Sequence, residues 1–242
     1  MVDSVQIGSE LNSAEVRAAQ AGSPATLSED LALAQLKDPE LSSDAVEQIS
    51  RDEAVMKSRK VRMAVASHPH APRRIALRII RELYTFELMQ FALTPAAAAD
   101  LKRMAEDLLV SRVPGITLGE RISLARRSST LVAGALLLDK DPKVWQPALE
   151  NARLTEAAVV KALQRSSATP AFVEAVSHHA KWSVRNEVQV VLLSNAHTPM
   201  AKAIEFARRI PARQLRDILH TSRLPETIKS YLRKEKRSGT RD

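Results

Sequence analysis

The chain has 242 residues, of which 45% are apolar, 3% are aromatic and none is cysteine, and its formal net charge is +8. The lack of cysteine excludes disulfides, thiolate metal ligands and cysteine nucleophiles. The low aromatic content favours many short helices over a β-sheet, because strands are enriched in aromatic and β-branched residues. The longest nearly apolar run, Leu131–Leu138, is far shorter than the roughly 20 residues that cross a bilayer. With no signal-peptide pattern at the N-terminus, we expect a cytoplasmic protein without a membrane span.

The charge is divided unevenly along the chain. Residues 1–60 hold 6 Lys/Arg and 11 Asp/Glu, a balance of −5, whereas residues 61–242 hold 30 and 17, a balance of +13. An acidic front and a basic body indicate an electrostatic role in binding.

The elements predicted in chain order are an acidic N-terminal tail, a helical body and a basic C-terminal tail. Residues 1–28 are polar and contain a Gly-Ser-Pro cluster, which predicts a tail. From about Leu31, short apolar runs of period 3.6 alternate with prolines, and a proline is well tolerated at the first position of a helix. The pattern predicts an all-α protein of roughly a dozen or more short helices. The prolines that precede such runs are Pro72, Pro95, Pro142, Pro170, Pro199, Pro211 and Pro225.

One phrase recurs along this body. "VASHPHAPRRIAL", from Val65, and "LLSNAHTPMAKAI", from Leu192, align when Asn195 is placed over His68. Each reads as an apolar helix, a polar residue, a turn, a proline or hydroxyl residue, and a second apolar helix. We expect the polar residue to satisfy backbone groups at the helix ends. Asp38 and Asn151 take the same place in two further copies.

The units "KVRMAVASHPHAPRRIALRI", "KVWQPALENARLTEAAVVKAL" and "SVRNEVQVVLLSNAHTPMAKAI" resemble HEAT-like repeats, and particularly the leucine-rich repeat variant. The resemblance implies an α-solenoid of short antiparallel helix pairs over residues 29–235, followed by a basic tail at 236–242. Similar repeats occur in bacterial helical-repeat proteins. Some variant-repeat proteins carry an N-terminal iron–sulfur cluster, which a chain without cysteine cannot ligate in that way.

Local signals also predict where helices begin and bend. Pro147 lies inside a predicted helix and should kink it or delay its start. Thr or Asp before a proline is a typical N-cap. The predicted caps are Thr94, Asp141, Thr169 and Thr198.

The histidines and carboxylates give no motif with the spacing of a metal or catalytic site. His68 falls on the recurring polar position and His70 lies two residues on, so we expect both to serve turns and caps rather than a metal. Asp139 and Asp141 are close in sequence, but a turn position and a helix cap explain them. We therefore expect no cofactor, no metal and no enzyme activity.

The basic residues form groups that predict a partner-binding or phosphate-binding surface. Arg74, Arg78 and Arg81 are spaced to share one helix face, and such a surface would suit an acidic protein or a phosphate backbone. An ordinary solvated helix face remains the alternative. The full set of candidates is Arg73, Arg74, Arg78, Arg81, Arg126, Arg127, Arg208, Arg209, Arg213 and Arg216.

The chain has two tryptophans, Trp145 and Trp182. Certain alkylpurine DNA glycosylases are built of HEAT-like repeats with tryptophans on a basic face, and this chain is similar in repeat type and charge. Their catalytic positions do not match residue by residue, and we expect both rings to fill junctions between repeats.

Two functions follow as hypotheses. The first is a non-enzymatic helical-repeat scaffold that binds a protein partner, preferably acidic, through its concave or basic surface, as solenoids commonly do. The second is a protein that binds the backbone of duplex DNA, with a HEAT-like DNA glycosylase as its enzymatic form. The oligomeric state and the partner's identity are not encoded in any motif.

Overall fold

The computed structural model describes the backbone of residues 27–238 and the side chains of residues 27–235. Within them the chain forms sixteen α-helices, one short 3₁₀ helix and no strand, which confirms the all-α prediction. Most of the predicted N-terminal tail lies outside the described residues. The last helix continues to Ser238, so the first residues of the predicted basic tail are helical.

The helices form two compact units, and the boundary between Ala76 and Leu77 lies inside a helix. In the first unit, α1 packs on α4, and α2, α3 and α4 pack on one another. Its core holds Ala32, Val46, Val55, Val61 and Val65, all nearly or fully buried. Its helices are α1 (Glu29–Gln35), α2 (Ser43–Arg51), α3 (Glu53–Met56), α4 (Arg59–Ser67) and the first part of α5 (Arg73–Glu82).

The second unit contains the remaining helices, which are short and separated by turns. They are α6 (Thr85–Leu93), α7 (Ala99–Arg112), α8 (Leu118–Arg127), α9 (Thr130–Leu136), α10 (Pro142–Leu149), α11 (Glu156–Leu163), α12 (Pro170–His178), α13 (Asn186–Ser194), α14 (Met200–Arg209), α15 (Ala212–Thr221) and α16 (Glu226–Ser238), with the 3₁₀ helix at Val113–Gly115.

These helices lie in two rows. In the first row, α7, α9, α11, α13 and α15 each contact the next member. In the second row, α6, α8, α10 and α12 do the same, and α14 contacts α16. Every second helix is therefore a spatial neighbour, which is how a short helix buries its apolar face on both sides.

Small residues allow the rows to pack closely. Ala105, Ala125, Ala133 and Ala148 are fully buried. A Cβ atom added at Gly134 on α9 would lie 3.3 Å from the Cβ of Ala158 on α11, tighter than ordinary van der Waals contact. Gly134 is thus the residue that permits these two first-row helices to approach.

Two of the four predicted caps are confirmed. The carboxylate of Asp141 accepts the Lys143 N–H at the start of α10, and the hydroxyl of Thr169 accepts the Phe172 N–H at the start of α12. Thr94 and Thr198 were wrong as caps, because their hydroxyls donate to carbonyls of preceding helices instead. The acceptor is Gln90 O at 2.9 Å for Thr94 and Leu192 O at 2.6 Å for Thr198.

Six of the seven prolines predicted to precede helices mark helix starts. Pro142 and Pro170 are first helical residues, and Pro199 and Pro211 are the residues just before a helix. Pro95 is the exception, since α7 begins only at Ala99.

Pro147 neither interrupts α10 nor delays its start, since the helix runs from Pro142 to Leu149. The delayed start was therefore wrong. A proline removes only one intrahelical hydrogen bond, the one to the residue four positions earlier.

Candidate functional site

The recurring polar residue builds the same turn at five positions, which we call the joint residues. In each, its side chain accepts the backbone N–H two residues later, and its own carbonyl accepts the N–H three residues later. The turn is thus closed twice, once by the side chain and once by the backbone. The joint residues and their side-chain bonds are Asp38 (3.0 Å), His68 (3.2 Å), Asn151 (2.8 Å), His179 (3.2 Å) and Asn195 (3.0 Å).

Two joint residues also donate to the carbonyl end of an earlier helix, and a third, His68, donates to the preceding joint residue. Nδ2 of the buried Asn151 donates to Ala125 O at 2.8 Å and to Ser128 O at 3.2 Å. Asn195 donates to Leu163 O at 3.2 Å. His68 donates from Nε2 to Asp38 O at 2.9 Å, since its Nδ1 is the acceptor within the turn. The expected turn and cap role of these polar residues is therefore confirmed.

These bonds fix the direction of the rows in the second unit. Asn151 follows α10 and bonds to the end of α8, and Trp182 Nε1 donates to Leu149 O at the end of α10. Helices α8, α10 and α12 therefore end side by side. Asn195 and Ser222 join the ends of α11, α13 and α15 in the same way.

The second unit therefore has two edges. At the first edge, second-row helices end and first-row helices begin, as the hydrogen bond between Thr130 Oγ1 and Thr155 Oγ1 shows for the starts of α9 and α11. At the second edge, first-row helices end and second-row helices begin.

All ten predicted arginines are exposed, but the structure does not bring them into one site. Arg73, Arg74, Arg78 and Arg81 lie on α5. Five others lie at the first edge, and Arg216 lies one turn further along α15. The five are Arg126, Arg127, Arg208, Arg209 and Arg213.

Several of these arginines have a structural role. Arg81, Arg126, Arg127, Arg208 and Arg209 lie in the last turn of their helices, where a cation interacts favourably with the helix dipole.

Some of them also form ion pairs with glutamates. Arg208 pairs with Glu235 at 2.8 Å, Arg209 with Glu205 at 3.1 Å, and Arg74 with Glu47. The hydrogen bond from Arg74, followed by that from Arg51, lowers the pKa of the Glu47 carboxyl.

Three cations at the first edge were missed from the sequence: Arg153, Lys181 and Arg185, all exposed. Arg153 and Lys181 each lie two residues after a joint residue, and that register was the signal that could have found them. We call the following six residues the basic edge: Arg126, Arg127, Arg153, Lys181, Arg185 and Arg213. Within residues 27–235, none of the six forms an ion pair with a carboxylate.

Several carboxylates of the second edge are used within the fold. Asp139 accepts from Arg121 at 2.6 Å, and Glu226 accepts from Lys229 at 2.8 Å, which lowers the pKa of the Glu226 carboxyl. Glu120 closes a capping box with Thr117, whose backbone and hydroxyl hydrogen bonds lower the pKa of the Glu120 carboxyl.

Both tryptophan rings are buried, Trp145 at 3% and Trp182 at 2% exposure. Trp145 packs edge-on against Phe172 at 5.7 Å between ring centroids, and Trp182 bonds to the backbone of α10. The packing expectation is confirmed, and neither ring is available on a basic face.

A cleft beside Trp145 is lined by His179 and Glu150, a histidine and a carboxylate of the kind that serve in acid–base catalysis. His179 Nε2 donates to the Glu150 carboxylate at 3.0 Å while Nδ1 accepts the Lys181 N–H. Both ring nitrogens form hydrogen bonds, so neither is free to act as a base. Within the described chain, no group of three or more metal-ligating side chains is arranged to hold a metal ion. Nor is any helix there both long and apolar enough to cross a membrane.

A second concave feature of interest is a groove of about 640 Å³ across the exposed face of α7, α9 and α11. Small residues form its floor beside the larger Val110, Leu131 and Leu138, and its charged rim is mainly basic. We call it the small-residue groove. The floor includes Gly134, Ala135, Ala158 and Ala162, and the charged rim comprises Arg103, Glu106, Lys161 and Arg165.

A scan of the chain against protein-family models and searches of curated proteins and of solved structures found no match.

Proposed function

We propose that the second unit is an α-solenoid and that the protein is a non-enzymatic scaffold, which binds a protein partner in the small-residue groove. The two rows of alternating helices and the hydrogen bonds that join successive helix ends support the solenoid. Stacked repeats of this kind present continuous faces on which partners bind.

The small-residue groove carries the proposal. Ala135 is exposed, while Gly134 and Ala158 are partly buried, so this stretch of the floor offers apolar surface with only small side chains. A partner segment can therefore approach the backbone of α9 and α11 closely and bury apolar atoms there, at about 25 cal/mol per Å² of apolar surface.

The rim indicates the chemistry of the partner. The rim holds three cations, Arg103, Lys161 and Arg165, and one carboxylate, Glu106. Arg103 also pairs with Asp107 at 3.3 Å, which leaves Lys161 and Arg165 as the cations most available to a ligand. We infer a segment with small or medium apolar side chains flanked by Asp or Glu, since complementary charge steers binding and rejects basic competitors.

A selection from a random 12-residue peptide display library tests this proposal. The selected peptides should carry an apolar core flanked by carboxylates. Ala135→Trp places an indole in the groove from an exposed position and should abolish binding of the selected peptide. Ala201→Trp, on the second-row helix α14 and also exposed, is the matched control and should bind normally.

Peptides without acidic enrichment, or equal binding to both tryptophan variants, would contradict the proposal. Thermal unfolding of both variants should match the wild type, because each substitution replaces an exposed alanine.

A further inference from the structure

We propose that the basic edge binds the phosphate backbone of double-stranded nucleic acid. None of the six cations lines the small-residue groove, and the inference does not depend on the groove's partner.

Ion pairs within the fold do not neutralise the positive charge of the basic edge. Its six cations are exposed and form no ion pair within residues 27–235. Lys181 lies over the Trp182 ring at 4.2 Å, and the guanidinium of Arg153 donates to Arg127 O at 3.3 Å, so these two are held in place without being neutralised. The turns that carry these six cations hold three exposed or half-exposed carboxylates, Glu150, Glu156 and Glu187, so their balance is positive. Glu205 and Glu235 lie beside the same edge but pair with Arg209 and Arg208.

The cations are placed on a rigid support. Asn151 and Trp182 tie the turns of successive repeats to the helix before them through buried hydrogen bonds. Neighbouring helices are about 8–10 Å apart, so the four turns of this edge span roughly 24–30 Å, close to the roughly 34 Å of one duplex turn. A fixed row of cations on that scale suits a stiff, regular polyanion better than a flexible acidic peptide.

The helix starts at this edge add to the positive potential. Arg185 and Pro211 precede α13 and α15 without a side-chain cap, so backbone N–H groups there have no side-chain acceptor. They supplement the cations and would not form a site alone.

The lack of exposed aromatic rings in the turns of this edge favours double-stranded over single-stranded nucleic acid. Binding of single strands relies on exposed aromatic rings that stack on bases. Both tryptophans are buried, and the exposed aromatics of the described chain, Tyr84, Phe86 and Tyr231, do not belong to the turns of this edge. Backbone contact needs no ring and carries little sequence preference.

Fluorescence anisotropy with a labelled 20-base-pair DNA duplex and the full chain tests the proposal at 50 to 200 mM salt. Binding should weaken steeply with salt, because each phosphate contact adds about 0.9 to the slope of log K against log salt. The triple variant Arg126→Gln, Arg185→Gln and Arg213→Gln should bind at least about tenfold more weakly at 50 mM salt, with a slope reduced by about 2 to 3.

The control removes three charges from the second edge: Lys140→Gln, Lys143→Gln and Arg223→Gln, all at exposed positions. Its affinity should stay within about twofold of the wild type, since only general charge is lost. No duplex binding at 50 mM salt, equal losses in both triple variants, or tighter binding of a single strand or of poly-glutamate than of the duplex would each overturn the proposal. Circular dichroism should show both variants folded.

Discussion

The two edges of the second unit are built from the same helices but use polar residues differently. At the second edge, three of the four helices from α8 to α14 that begin there have side-chain caps. At the first edge only α11 has one, among α9, α11, α13 and α15. At the second edge Asp139 and Glu226 pair with cations, and four exposed cations have no ion pair in the described chain: Lys140, Lys143, Arg165 and Arg223. At the first edge six cations have none. The comparison teaches that the second edge has more side-chain caps, whereas the first edge has fewer caps and more unpaired cations.

The largest expected effect comes from the tryptophan that anchors the first edge. Trp182→Ala should destabilise the fold by about 3–5 kcal/mol, because a large buried ring is lost. Trp182→Phe keeps most of the packing but leaves Leu149 O without its donor, and should cost about 1–3 kcal/mol. Urea unfolding measures both, and an unchanged midpoint for the alanine variant would show that the ring is not a packing element.

The joint residues give a direct contrast between the edges. Asn151→Ala at the first edge leaves two buried carbonyls without a donor and should cost about 2–4 kcal/mol. Asn195→Ala at the second edge removes one such bond from a half-buried site and should cost about 1–2 kcal/mol. His68→Asn should be tolerated within about 1 kcal/mol, since asparagine makes the same turn elsewhere in the chain. Equal losses of stability in Asn151→Ala and Asn195→Ala would contradict this difference between the edges.

An N-cap introduced at the first edge should raise the stability of the protein and weaken its binding to DNA. Arg185 has an extended backbone (φ −81°, ψ 130°) suited to an N-cap but no capping side chain. Arg185→Asp should stabilise the protein by about 0.5–1 kcal/mol and weaken binding to the DNA duplex. Urea unfolding measures the change in stability, and fluorescence anisotropy measures the change in duplex binding. A variant that gained both stability and affinity would refute the role of Arg185 in binding.

The smallest effect concerns pH at the second edge. The Thr117 hydrogen bonds lower the pKa of Glu120 below its ordinary value of 4.5, so the folded state favours the carboxylate. The resulting stability is present above pH 4.5 and is lost as pH falls through the lower, folded-state pKa. Glu120→Gln retains an acceptor for Thr117 but does not titrate, so its unfolding midpoint should fall slightly less than that of the wild type between pH 6 and 3.

The sequence was informative where chemistry is local. Repetition of one phrase located four of the five joint residues and their hydrogen-bonding role, as at His68 and Asn195, but missed His179. It failed at Thr94 and Thr198, where a Thr-Pro pair looked like a cap but the hydroxyl reached back to an earlier carbonyl. Neighbouring side chains and backbone compete for each hydroxyl, and that outcome depends on the folded geometry.

The candidate site was less accessible from the sequence. Exposure of the ten arginines was foreseeable from helical spacing, but their distribution between edges depends on which helices lie side by side. Arg126, Arg153 and Lys181 meet at one edge because hydrogen bonds from Asn151 and Trp182 align helix ends 26 and 33 residues apart in sequence.

Backbone amide chemical-shift mapping with a DNA duplex at low salt tests the division between the edges most directly. The division predicts shifts in the first-edge turns, at residues 126–130, 151–155, 181–186 and 208–213, with little change at residues 139–143, 195–199 and 222–226. Shifts of equal size at both edges, or confined to the second, would contradict it.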